Sequence, residues 1–81
     1  MYRWIADQQA IEVILRLPAS RRQHLLQQFD ALADNPFQIG DAQMTDDSGR
    51  ELQLKIIEPY IVTYWPDHAV KELRIVSIET V

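Results

Sequence analysis

The chain has 81 residues, 47% of them hydrophobic, which is enough for one domain with a single modest core. It contains no cysteine, which excludes disulfides and thiolate metal sites, and no apolar run approaches the ~20 residues needed to span a bilayer. A net charge of −4 argues against an independent binder of nucleic-acid backbones, because each neutralised phosphate calls for a cation.

The opening Met1–Gln9 carries acid early and has no long apolar stretch, so it does not read as a secretory signal, and a cytoplasmic protein is expected. Tyr2–Ile5 is a short strand candidate. Asp7 can accept from a free N–H of the next element and so cap a helix. That helix reaches about Leu17, with Ala10, Ile11, Ile14 and Leu15 as its apolar stripe. Pro18 stops it, because proline disfavours helical backbone in the residue before it. Ser20 then opens a second helix, with Gln23 at capping-box spacing. Leu25, Phe29, Leu32 and Ala33 line its apolar side, and Asn35-Pro36 ends it. Two helices joined by so short a link form an antiparallel hairpin.

Ala42–Thr45 reads as an edge strand and Asp46-Asp47-Ser48-Gly49 as a turn. In Glu51–Ile56 polar and apolar residues alternate strictly, placing Leu52, Leu54 and Ile56 on one face. Glu58-Pro59 breaks the run. Tyr60–Trp65 is apolar or aromatic at nearly every position, as a central strand would be; parity groups Tyr60, Val62 and Tyr64 against Ile61, Thr63 and Trp65. Pro66-Asp67-His68 is the next turn, and Glu72–Glu79 a third strand. The expected fold is therefore α+β, one domain over residues 1–81: a two-helix antiparallel hairpin packed on one face of a small antiparallel sheet. Leu25, Phe29, Leu32, Leu52, Leu54 and Ile56 should be buried together, with Trp65 partly exposed.

This order of elements, with Leu17-Pro18 between the helices, Leu32 and Asn35-Pro36 at the end of the second, Gly49-Arg50-Glu51-Leu52 opening a strand, Tyr60–Tyr64 in the central strand and Leu73-Arg74-Ile75-Val76 in the last, resembles the RelE/ParE family of bacterial toxin components. The resemblance implies a toxin neutralised by a partner antitoxin, acting on translation by cleaving mRNA in the ribosome or inhibiting DNA gyrase, with no metal or organic cofactor and no membrane partner. It leaves a homo-oligomer open. Ribonuclease members commonly carry an arginine beside the central-strand tyrosine, where this chain has Ile61. They usually have a histidine or glycine followed by an arginine after the last strand, where it has Ser77–Val81.

Metal-independent RNA cleavage needs a base for the 2′-OH, an acid for the leaving oxygen and cations for the charged transition state. The cation candidates are Lys55, Arg50 and Arg74; as ordinary surface residues they would pair with Glu51, Glu72 and Glu58. His68 can serve as acid or base near neutral pH or simply be a solvated turn residue. His24 reads as a surface residue of the second helix, and the two histidines lack metal-ligand spacing. Tyr60, Tyr64 and Trp65 could stack bases, though central-strand aromatics are more often core. Two functions stay open: a toxin, and a non-enzymatic binding module on the same scaffold.

Overall fold

A computed structural model describes residues 1–81. The chain forms β1 (Arg3–Ala6), α1 (Gln8–Arg16), α2 (Ala19–Asp34), β2 (Ala42–Thr45), β3 (Glu51–Ile57), β4 (Tyr60–Asp67) and β5 (Glu72–Thr80). The five strands make one sheet in the order β1-β5-β4-β3-β2. The meander β2–β5 is antiparallel as its short turns require, while β1 adds to β5 in parallel, so the sheet is mixed. No helix is long and apolar enough to cross a membrane.

The helical hairpin lies over β1 and β5. Ala10 and Ile14 of α1 and Leu25, Phe29 and Leu32 of α2 meet Ile57, Tyr60, Val62, Tyr64, Leu73, Ile75 and Ile78 of the sheet in one core. Trp4 closes its edge, standing edge-on to Phe29 at 5.3 Å and donating its indole N–H to Asp30 at 2.9 Å. The inward stripe is Ala10, Val13 and Ile14 of α1, joined by Leu17 at its C-cap. Ile11 and Leu15, expected inside, face solvent.

Neither predicted helix cap forms. Asp7 does occupy the N-cap position of α1, but its carboxylate makes no capping bond and binds Arg74 instead. The second helix starts one residue before Ser20, with Pro18 at the cap position, so the Ser20–Gln23 capping box does not exist. Proline's fixed φ prepares a helix start without a side-chain acceptor.

β3 turns the opposite face to the helices from the one its alternation suggests. Register pairs Gln53 with Tyr64, Lys55 with Val62 and Ile57 with Tyr60. Directly opposed residues share a face, so Gln53, Lys55 and Ile57 lie on the helix side and Leu52, Leu54 and Ile56 on the other. Leu52 is buried, Leu54 half-buried and Ile56 50% exposed, none of them in the core under the helices. The helices stop short of β3, so a polar helix-side face costs little there. The loop after α2 covers part of it: Gly40 N–H donates to Gln53 Oε1 at 2.8 Å, and the Tyr64 hydroxyl donates to the Gln38 carbonyl at 3.4 Å. A Cβ on Gly40 would stand 2.7 Å from the Leu54 carbonyl oxygen, so this close approach requires glycine.

β5 owes its uneven alternation to a bulge. Thr63 pairs with Ser77 but Tyr64 with Ile75, leaving Val76 as the extra residue. This keeps both Ile75 and Ile78 on the core side. β4 runs on through Pro66 and Asp67, which pair with Leu73 and Glu72, so the turn falls at 68–71 with Lys71 at φ 56°. Beyond the end of β1, Gln9 of α1 takes over the edge of β5. Its amide donates to the Ile78 carbonyl at 3.0 Å and accepts from the Ile78 N–H at 2.9 Å.

Candidate functional site

The β2–β3 turn delivers Arg50. Asp46 folds the turn by accepting from the Ser48 hydroxyl at 2.7 Å, the Ser48 N–H at 2.9 Å and the Arg50 N–H at 2.9 Å, and Gly49 supplies the left-handed step at φ 85°. The Ser48 hydroxyl bond, then the Arg50 N–H, hold the Asp46 carboxyl below its ordinary value. The Arg50 guanidinium lies 4.0 Å from the Trp65 ring centre and 3.7 Å from the Asp46 carboxylate. Trp65 is half-buried, as expected, on the sheet face away from the helices.

Three segments converge on His68. Its ring stacks on Phe37 from the loop after α2, with centres 4.8 Å apart and planes 10° apart. Its Nδ1 lies 2.6 Å from the hydroxyl of Tyr2, just before β1. Arg50 and His68 line one cleft of about 380 Å³ together with Phe37, Gln38, Gln53 and Trp65. The cleft brings an imidazole held by a phenol, a guanidinium on an indole, and an exposed phenyl ring to a single rim. Nothing in the sequence pointed to Tyr2 and Phe37, because each joins His68 only through the fold.

The other two predicted cations are elsewhere. Arg74 is Trp65's cross-strand neighbour, but its guanidinium is 2.9 Å from Asp7 and 3.8 Å from Glu72, while Arg3 approaches Glu72 at 3.8 Å. Two cations and two carboxylates thus balance, and Arg74 works as a tie between β5 and the β1–α1 junction. Lys55 has no ion pair and sits half-buried on the helix-side face, opposite Val62. It lies five residue steps along the chain from Arg50, about 16 Å at ~3.3 Å per residue, and the two side chains leave opposite faces. Of the expected ion pairs only Arg74–Glu72 forms; Arg50 selects Asp46 rather than Glu51. His24 is exposed on α2, and no three His, Asp or Glu side chains converge as metal ligands. Tyr60 and Tyr64 are core residues, and burial followed by the nearby Asp41 charge pushes the Tyr64 phenol up.

No protein-family model and no curated protein matches the chain by sequence. Solved structures do match. A chain of the archaeal RelE–RelB complex from Pyrococcus horikoshii OT3 superposes with a TM-score of 0.73 at 20% identity, over 98% of this chain and 93% of that one. The protein has the RelE fold. A chain of the intact E. coli RelBE toxin–antitoxin complex superposes with a TM-score of 0.67 at 13% identity, over 100% of this chain and 98% of that one. Both RelE-fold matches span nearly the whole of each chain, so helical hairpin, parallel β1 and antiparallel meander all belong to the shared architecture.

Proposed function

We propose that this protein is a toxin-type component of a toxin–antitoxin pair, held by an antitoxin-type partner chain, and that it is a poor mRNA nuclease. The supporting observation is the end-to-end RelE fold, matched in an archaeal RelE–RelB complex and in the E. coli RelBE complex, the second of which is described as toxin–antitoxin. The dispersed cations support the second half of the reading. Lys55 leaves the wrong face, Arg74 is neutralised by two carboxylates, and only Arg50 and His68 share a cleft. Preorganised charge at the reacting phosphate is commonly worth roughly 10²–10³ per contact. One guanidinium, already facing Asp46, offers little of it. Of the targets that the family resemblance implies, mRNA on the ribosome is therefore disfavoured, and a protein target such as DNA gyrase becomes the better one. The same dispersal favours a second reading, a binding module on this scaffold with no inhibitory activity of its own.

Induced expression separates the two. With the product of an adjacent reading frame absent, growth should stop; with it co-expressed, growth should resume and the two proteins should co-purify. Unimpaired growth in the absence of the partner would remove the toxin reading and leave the binding module.

A further inference from the structure

The charges of α2 run against its dipole. A helix is stabilised by acids near its first turn and by cations near its last. α2 has no acid in its first turn and no base in its last; Arg21 and Arg22 stand near its start, and Asp30 and Asp34 lie towards its end. The two acids are four residues apart, a spacing at which like charges repel. Both are exposed and neither enters an ion pair. The Trp4 indole N–H, donated to Asp30 at 2.9 Å, occupies one oxygen of that carboxylate and leaves the other free. An arrangement that works against the helix without a compensating cation points to a cation from outside the chain.

The space for one is present. Two cavities of about 360 and 430 Å³ open between the start of β1 and the end of α2, and Tyr2 and Asp34 line both. Trp4 and Asp30 complete the first and Phe37 the second. Arg3, the one basic side chain on these walls, approaches Glu72 at 3.8 Å. No three acidic or histidine side chains converge as metal ligands, so the walls suit an organic cation instead. Ring faces attract an ammonium and also pack against its methylene chain. Tyr2 and Phe37 stand edge to face with centres 6.1 Å apart, and Phe37 is 73% exposed. Four residues at a rise of 1.5 Å set Asp30 and Asp34 about 6 Å apart along the helix, the reach of a short alkyl chain with an ammonium at each end. We infer that this hollow binds a small aliphatic diamine or polyamine, one ammonium on Asp34, a second on Asp30, and its methylenes against the aromatic rings. The site lies apart from Arg50 and does not rest on the toxin reading.

Spermidine titrated into the full chain at constant ionic strength tests this. In a Trp65→Phe background Trp4 is the only indole, so its emission reports the site. A saturable change is expected, together with a thermal midpoint that rises with spermidine concentration, as binding to the folded state requires. Asp34→Asn should weaken binding at least about tenfold, as the loss of a charge-assisted bond implies. Its own midpoint without ligand should be no lower than the parent's, because the change removes a repulsion. Asp30→Asn keeps an oxygen for the Trp4 N–H and should weaken binding as well. Asp47→Asn removes the same charge from the β2–β3 turn and should bind as the parent does. An unsaturable response, equal weakening in Asp47→Asn, or parent-like binding by Asp34→Asn or Asp30→Asn would overturn the inference. A trilysine peptide that binds through Asp34 where spermidine does not would assign the hollow to a partner protein's side chain and overturn it too.

Discussion

Gln9→Ala removes the side chain that finishes the edge of β5 where β1 runs out. The structure gives that side chain two bonds to one residue, to the Ile78 carbonyl at 3.0 Å and from the Ile78 N–H at 2.9 Å. Each intramolecular bond contributes about 0.5–1.5 kcal/mol net. Gln9 itself is exposed, so water can reach part of the vacated edge and the loss stays below the full penalty for buried orphaned groups. About 1–2 kcal/mol is expected, a fall in Tm of about 5–15 °C for a domain of this size. Urea denaturation gives the free energy, and hydrogen exchange shows where it is lost: the Ile78 amide should exchange faster while amides of the β3–β4 ladder stay protected. Gln9→Met keeps the length without the bonds and should behave like the alanine variant. Gln9→Glu keeps the acceptor for the Ile78 N–H but sets a carboxylate oxygen against the Ile78 carbonyl, so it should not rescue. A Gln9→Ala protein within about 0.5 kcal/mol of the parent, the range of ordinary surface substitutions, with Ile78 exchange unchanged, would refute the argument.

Phe29 is fully buried at the centre of the helix–sheet core, and Phe29→Ala should cost about 3–5 kcal/mol in urea denaturation; a cost below about 1 kcal/mol would mean that the core is not packed as described. Tyr64 supplies a pH test. Burial raises its phenol above the ordinary 10.0, so the folded state holds the proton more tightly than the unfolded state does. Its contribution is complete below pH 10 and is lost as pH rises through the folded value, so Tyr64→Phe should lose less stability than the parent between neutral and strongly alkaline pH. Identical alkaline slopes for the two proteins would contradict this.

Strand positions were legible because their signals are local. Alternation in Glu51–Ile57, the apolar run from Tyr60 and the breaks at Pro18, Asn35-Pro36 and Glu58-Pro59 each act over a few residues, and the elements fall where these place them. Which face of β3 meets the helices was not legible, because alternation defines two faces without saying which one is covered. The choice is made by Tyr60, Val62 and Tyr64, which pair with Ile57, Lys55 and Gln53 and carry them to the helix side. A one-residue change of register would have reversed it. For α1, eleven residues of context could not distinguish Ile11 and Leu15 from Val13 and Leu17, since two overlapping stripes satisfy the same period. The parallel β1 joins residues 69 positions apart and the Tyr2–His68 contact residues 66 apart, which no short-range pattern encodes. Arg74 shows the same limit in its charges. Its pairing with Glu72 could be read along the strand, but the stronger bond to Asp7 exists only because β1 lies beside β5.

The central claim is that this RelE-fold sheet does not assemble a cation centre for RNA. Primer-extension mapping of a translated mRNA on ribosomes supplied with the purified protein tests it most directly. No cleavage in the ribosomal A site is expected above the background without protein, at concentrations that inhibit growth when the protein is expressed. Robust A-site cleavage that disappears in Lys55→Ala, Arg50→Ala or His68→Ala would contradict it, and would mean that residues set apart in this fold come together on the ribosome.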